Sequence, residues 1–371
     1  MRRTYKYRIY LTNGQKRLLN QTLEECRWVY NQVLEARRDA YAEGTPLGLY
    51  DTITLLPDWK AERPSLKLVH SQVLQNICQR VHLTFEAFFR RVKAGEADVG
   101  YPRFKGYGRY DSITYPQYGN GVRIEGDDLV VSKIGRVQVV WHRPLEGQVK
   151  TVTLRRSATG KWYAAFSCEV ERRPYPPSPN IVGIDVGLES FLTTSNGEKI
   201  ANPRFFRRDE HDLKRVQSAK DKAKNAQNWP EHHRRTQALR RIHERIAWRR
   251  ADFAHQLART LVRQYQIIAF EDLNVLHMLK NGRLAKSIAD AAWNQLIQYT
   301  CTKAEDAGRT VVLINPRNTS KLCSRCGELV DKDVSVRIHT CPSCGLILDR
   351  DQNAAINILR LGLQSLEVQR L

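Results

Sequence analysis

The chain has 371 residues, 42% of them apolar, which is enough for several folded cores and too much for a disordered chain. Sixty Lys and Arg against 39 Asp and Glu leave a formal net charge of +21 and a sequence pI near 9.8. That excess points to a polyanionic partner, with nucleic acid ahead of an anionic membrane surface, and no apolar run approaches the roughly 18 residues of a membrane span.

The start, MRRTYKYRIYLTNG, lacks an apolar core segment and a small-residue cleavage site, so no signal peptide is expected. Residues 3–11 alternate as a strand, and Asn13-Gly14 breaks it. From Gln15 to about Tyr41, Leu19, Leu23, Cys26, Tyr30 and Val33 fall on one helical face. Residues 43–66, with Pro46, Pro57 and Pro64, read as irregular. A second helix is predicted from Ser71 to Lys93, with Leu74, Ile77, Val81, Phe85, Phe88 and Val92 along one side. The two helices should pack as a pair.

In the following segment Arg103, Lys105 and Arg109 alternate with Phe104, Tyr107 and Tyr110 among glycines, a composition that can neutralise and stack nucleotides. A glycine-rich loop packed on its neighbours is an equally good account of these residues. Alternating runs to about residue 171 then predict an antiparallel sheet or barrel, with turns at Gly126-Asp127 and around Ser157–Gly160, joined by the first strand. RRPYPPSPN, residues 172–180, is a proline-rich boundary.

Beyond it, NIVGIDVG reads as a buried strand and SFLTTSNGEKI as its hairpin partner. Residues 204–250 hold fifteen Lys/Arg against six Asp/Glu and form basic helices split near Trp229-Pro230. Arg234, Arg235, Arg240, Arg241, Arg245, Arg249 and Arg250 are dense enough to face a nucleic-acid strand. A solvated helix face is the ordinary explanation for such runs, and the sign imbalance favours phosphate contact. QIIAFEDLNV is a strand ending in acids. A helix from about Ile288 to Ala307, the strand RTVVLINP and a final helix from about Asp351 to Leu361 follow.

Cys323-Ser-Arg-Cys326 and Cys341-Pro-Ser-Cys344 are two C-x-x-C pairs, each followed by glycine. One tight turn presents two thiolates, and two such turns make the tetrahedral Cys₄ set that Zn²⁺ prefers. A closed site of this kind is structural. Disulfides or a redox dithiol fit paired knuckles poorly, and His339 stays outside a shell already filled by sulfur. The other cysteines, Cys26, Cys78, Cys168 and Cys301, lie singly in apolar stretches and read as reduced thiols.

Three acids stand at ends of apolar elements: Asp185 after the first strand of the second half, Glu271 after a later strand, and Asp351 at the start of the last helix. Singly they read as a loop acid, a strand-end acid and an N-cap. Their order is that of an RNase H-like nuclease: strand Asp, hairpin, long helices, strand Glu, helix, strand, helix Asp. Grouped oxygen ligands of this kind select Mg²⁺ or Mn²⁺.

The stretches GIDVGL, FEDLNV, NTSKLCSRCG, CPSCG and DRDQNAAINI, in that order, resemble TnpB, the RNA-guided nuclease of bacterial insertion sequences, and the miniature type V CRISPR effectors. The resemblance implies a multidomain α/β and α+β chain. Residues 1–11 with 101–175 would form a wedge-like β-barrel, and 12–100 a short helical recognition domain. Residues 179–320 with 347–371 would form a RuvC-like nuclease, with a zinc ribbon inserted at 321–346. It implies an RNA-guided DNA endonuclease of a prokaryotic mobile element, cytoplasmic and nucleoid-associated, with guide RNA and double-stranded target DNA as partners and a monomer favoured. It carries the catalytic roles to Asp185, Glu271 and Asp351, holding two Mg²⁺ (or Mn²⁺). Asp351 is preferred over Asp349 because it directly precedes QNAA. A strand-transferring transposase on the same fold, or a non-catalytic RNA- or DNA-binding regulator, are the alternatives. RNA co-purifying with the protein separates the first two readings.

Overall fold

The computed structural model describes residues 1–280, 282–333 and 336–368, and of Leu276 the backbone alone. Asn281, Val334, Ser335 and residues 369–371, which fall within the ranges assigned above, lie outside the described residues. The chain forms two compact units, Met1–Glu171 and Arg172–Leu371.

In the first unit, β1 (Arg2–Tyr10) buries Tyr5, Tyr7 and Ile9 and turns Lys6 and Tyr10 outward, the period of two expected of a half-buried strand. Helix α1 (Asn13–Ala42) starts at a capping box: the Gln15 amide donates to Thr12 Oγ1 and the Thr12 amide to Gln15 Oε1. The predicted stripe Leu19, Leu23, Cys26, Tyr30 and Val33 is buried. Residues 43–66 are not irregular throughout. They hold α2 (Leu49–Thr54), α3 (Leu56–Glu62) and a 3-10 turn at Pro64–Leu68. Pro57 and Pro64 sit in the opening turn of their helices, where a missing N–H costs nothing. Helix α4 (Ser71–Lys93) follows, packed on α1.

Strands β2 (Ser112–Tyr115), β3 (Val122–Glu125), β4 (Asp128–Val131), β5 (Gly135–Val140), β6 (Gln148–Arg156) and β7 (Trp162–Glu169) join β1 in a seven-stranded antiparallel sheet of order β2-β6-β7-β1-β5-β4-β3. Its inner face and the helices share one apolar core. Arg80 of α4 ties the two together, donating to Tyr110 Oη, the Ser112 carbonyl and Thr114 Oγ1.

The second unit begins in the proline-rich stretch. Residues 172–175, placed with the sheet domain on sequence grounds, pair here with the helix that ends at Ala307: the Tyr175 amide donates to the Ala307 carbonyl, and Arg172 pairs with Glu305. Strands β8 (Ile181–Val186), β9 (Ser190–Thr194) and β10 (Lys199–Ala201) form an antiparallel run. The basic helices are α5 (Phe205–Asn225) and α6 (Trp229–Gln264), split where Asn228 caps α6 and Pro230 opens it. Then come β11 (Ile267–Glu271), the single turn α7 (Val275–Met278), α8 (Ala285–Ala291), α9 (Trp293–Ala307) and β12 (Thr310–Ile314). The helix expected over 288–307 is broken at Ala292, which adopts a left-handed φ of 53°.

The five strands order as β10-β9-β8-β11-β12, with β8, β11 and β12 parallel. On one face Val182, Ile184, Ile268 and Phe270 pack against α6 and α9. The short hairpin of β13 (Ile338–Thr340) and β14 (Ile347–Asp349) leads into α10 (Arg350–Val368), whose Ile358 and Gly362 meet Ala269, Val312 and Ile314 on the opposite face. No helix among the described residues is long and apolar enough to cross a membrane.

Candidate active site and metal centre

Strand alternation decides where the first two acids point. Gly183 and Ala269 face α10, because their neighbours Val182, Ile184, Ile268 and Phe270 face α6 and α9. Asp185 and Glu271, two residues further on, fall on the α10 side of adjacent parallel strands that are in register at Ile184 and Phe270. Helix α10 lies on that face, and Asp351 is in its first turn. A Cβ at Gly183 would stand 2.0 Å from the Ala355 carbonyl oxygen, so only glycine permits this approach.

Asp185 feels the other two carboxylates. Burial, then the charges of Glu271 and Asp351, push the Asp185 carboxyl well above the usual range, while Arg350 partly opposes them. Glu271 is buried and also raised, chiefly by burial; the Thr319 hydroxyl donates to its Oε1 at 2.5 Å and offsets part of the shift. The same hydroxyl lies 3.1 Å from the Pro316 carbonyl. It has one proton to give, which an ionised Glu271 takes as the better acceptor. Asp351 Oδ1 accepts a two-pronged contact from Arg350, 3.0 Å from Nε and 2.8 Å from Nη2. Asp349 is engaged elsewhere: it accepts from Lys199 Nζ and caps α10 through the amides of Asp351 and Gln352. Burial raises its carboxyl, and the Lys199 bond with those amides outweighs burial and holds it low.

The three acids are not drawn into one tight cage. Among the described residues, the one group of three or more Cys, His, Asp or Glu whose ligand atoms all lie within 4.8 Å of one another is Cys323, Cys326, Cys341 and Cys344. Cys323 and Cys344, and Cys326 and Cys341, stand 3.6 Å apart at sulfur. Four sulfurs about 2.3 Å from a tetrahedral Zn²⁺ lie about 3.8 Å apart, so the set fits that ion. Each knuckle closes alike. The Gly327 amide donates to the Cys323 carbonyl and the Gly345 amide to the Cys341 carbonyl, and both glycines hold the positive φ the turn requires.

Burial raises the Cys323 thiol, but the amides of Cys326 and Arg325, with His339, overcome it and bring it to about 5. The Glu328 amide favours the Cys326 thiolate, yet burial and the other three sulfurs push Cys326 up to about 12. The second and later protons are held by crowded negative charge, which a dication relieves. His339 is fully buried beside this set and is bonded to Lys332 through Nδ1. The other four cysteines are free thiols, three buried and Cys301 half-buried.

The proposed nucleic-acid residues divide. Arg103, Phe104, Lys105, Tyr107 and Arg109 are exposed on a loop docked to α1, where the Lys105 carbonyl accepts from Arg27 and Asn31. Arg38 lies over the Phe104 ring and Lys105 over Tyr30. On α6, Arg234 and Arg235 pair with Glu231, Arg245 and Arg249 with the buried Asp209, and Arg250 with the buried Asp290. Arg240 is also engaged, whereas Arg241 is exposed and makes no side-chain ion pair among the described residues. Part of the charge density on α6 therefore fastens it to α5 and α8.

Sequence reasoning did not find Thr319, Asn353, Asn357 or Arg350. Only the two asparagines left a signal: polar residues four apart on the helix face that also carries Ala354 and Ile358.

Comparison with known proteins places the chain among relatives. Family models described as "Helix-turn-helix domain", "Probable transposase" and "Cas12f1-like, TNB domain" match residues 1–45, 165–282 and 293–358. The chain is 37% identical to a Streptomyces pristinaespiralis protein named "Putative RNA-guided DNA endonuclease", over 98% of this chain and 90% of that one. It is 30% identical to "Putative RNA-guided DNA endonuclease InsQ" of Escherichia coli (strain K12), over 91% and 86%. Its fold is similar to that of Cas12f1 in a complex with sgRNA and target DNA, with a TM-score of 0.59 at 14% identity, covering 94% of this chain and 83% of that one. It is similar too to the mini-RNA-guided endonuclease CRISPR-Cas_phi3, with a TM-score of 0.53 at 10% identity, covering 98% and 92%. With a mixed α/β fold, a four-cysteine knuckle pair and full-length relatives at this identity, the chain belongs to the TnpB family.

Proposed function

We propose that this protein is an RNA-guided DNA endonuclease that hydrolyses target phosphodiesters at a two-metal, RuvC-like centre made by Asp185, Glu271 and Asp351. The observation that carries the reading is the placement of acids distant in sequence: Asp185 and Glu271 lie at the ends of adjacent parallel strands, on the face covered by α10, whose first turn holds Asp351. Burial, then the charges of Glu271 and Asp351, raise the Asp185 carboxyl in keeping with that placement. The donor set is oxygen-rich, partly buried and repulsive, which is the chemistry that recruits Mg²⁺ or Mn²⁺. The strand order β10-β9-β8-β11-β12, antiparallel then parallel, supports an RNase H-like core over residues 179–320 and 347–371.

When bound, the divalent ions supply an activated water and neutralise the departing 3′ oxygen. The chain's own residues prepare the site. Asp185, which feels the charges of both other acids, would hold the divalent ions together with Glu271 and Asp351. Arg350 balances the charge of Asp351 through its two-pronged contact. The four cysteines would hold one zinc, in a structural role, in the ribbon at 321–346.

Guide pairing reads the target sequence, while protein surfaces grip duplex shape and a short flanking motif. We assign these surfaces to the sheet of 1–11 and 101–171, to the helical segment 12–100, and to the exposed cations and rings at Arg103, Phe104, Lys105, Tyr107, Arg109 and Arg241. The test is Mg²⁺-supplemented plasmid cleavage by protein co-expressed with its flanking locus. Wild type is expected to cut and Asp185→Ala to lose cutting. Equal cutting by both removes the assignment, and purified protein carrying no RNA removes the guide.

A further inference from the structure

We propose that Thr319 is a positioning residue for Glu271, and that Asn357 and Asn353 of α10 transmit to it the order of the first zinc knuckle. This rests on the reading of Glu271 as a divalent-ion ligand.

The connection is continuous. The Ser324 amide, inside the knuckle, donates to Asn353 Oδ1, and Asn353 Nδ2 donates to the Leu322 carbonyl. Asn357 Nδ2 donates to the same carbonyl and to the Thr319 carbonyl. The Thr319 hydroxyl then donates to Glu271 Oε1. Asn353 and Asn357 are fully buried and Thr319 nearly so. A helix therefore reads the backbone of the segment leading into the knuckle, from its own interior face. The arrangement leaves Asn357 Oδ1 buried and unpartnered, a cost that an apolar side chain would avoid. The benefit is a carboxylate fixed at one oxygen, which leaves Oε2 and the remaining lone pair of Oε1 available to a cation. Removing a group that orients a ligand in this way typically costs roughly 10–100-fold in metal affinity.

The test measures Mn²⁺ binding by the guide-loaded protein, from the EPR signal of free Mn²⁺, with zinc content determined on each sample. Thr319→Val is expected to weaken Mn²⁺ binding by about 10-fold or more while one zinc is retained, and Thr319→Ser to keep wild-type affinity. Asn353→Ala is expected to shift affinity in the same direction with zinc still bound. Should Thr319→Val fold poorly, Thr319→Ala against Thr319→Ser isolates the hydroxyl. Glu271→Gln is the control: it must weaken Mn²⁺ binding for the underlying site to stand. If Glu271→Gln weakens binding and Thr319→Val does not, the positioning role is overturned and the site survives. If Thr319→Val weakens binding and Asn353→Ala does not, the link to the knuckle is overturned. Unchanged binding in Glu271→Gln overturns the site and the inference together.

Discussion

Gly183 of β8 lies directly beneath Ala355 of α10, so close that an added Cβ would meet the Ala355 carbonyl oxygen at 2.0 Å and the Leu359 amide nitrogen at 2.6 Å. Both obstacles are backbone, so no side chain can swing aside. That contact sets the height of α10 over the sheet, and with it the distance from Asp351 to Asp185.

Gly183→Ala should therefore lift the helix. Overpacking of this kind costs about 1–3 kcal/mol, and the upper end is expected because backbone must move. Urea unfolding will show a lower midpoint, and cleavage will fall with it. An unaltered midpoint with full cleavage contradicts the packing argument.

The raised Asp185 gives a pH dependence with a definite sign. Its folded carboxyl binds protons more tightly than the unfolded one, so ionising it costs folding free energy. That penalty grows as pH rises from the ordinary carboxylate range to the raised value and is constant above it. In Mg²⁺-free buffer with zinc retained, Asp185→Asn should melt higher than wild type near neutral pH, while cutting nothing. Because metal ligation requires the carboxylate, wild type should also need more Mg²⁺ at low pH than at high pH. Thermal melts and Mg²⁺ titrations of cleavage at two pH values check both signs.

Zinc should stand at one per chain by elemental analysis, and Cys341→Ser should lose it. The knuckle supplies the Ser324 amide to Asn353, so losing the metal loosens the start of α10 as well as the ribbon. Increased proteolysis confined to the ribbon and the α10 start is expected. Full zinc retention by Cys341→Ser contradicts the ligand set.

Two arginines four positions apart on α6 should behave differently. Arg245 is fastened to the buried Asp209, so Arg245→Ala should cost up to about 1 kcal/mol of stability, a modest figure because the arginine is half-exposed. Arg241→Ala should leave stability alone and lower the salt slope of nucleic-acid binding by about one. Denaturation midpoints and binding at two salt concentrations separate them. The reverse pattern refutes the division.

What could be read from the sequence was what short-range periodicity encodes. The stripe from Leu19 to Val33, the alternation through β1 and the C-x-x-C knuckles all act over a few residues and leave a spacing. Residues 43–66 misled because proline ends a helix in one position and opens it in another, and composition does not say which. Asp209 with Arg245, Gly183 with Ala355 and Thr319 with Glu271 join residues 36 to 172 positions apart, so no local pattern announces them. Arginines that look alike in a basic run are sorted into fasteners and free charges only once α5 and α8 lie against α6.

The central claim is that Asp185, Glu271 and Asp351 together hold divalent cations. The direct measurement is anomalous diffraction from crystals soaked in Mn²⁺, with the zinc signal at the four cysteines as internal reference. The account predicts manganese about 2.0–2.2 Å from oxygens of all three acids, with Arg350 drawn off Asp351. A strong zinc peak beside three bare carboxylates, with Arg350 still on Asp351, would contradict it.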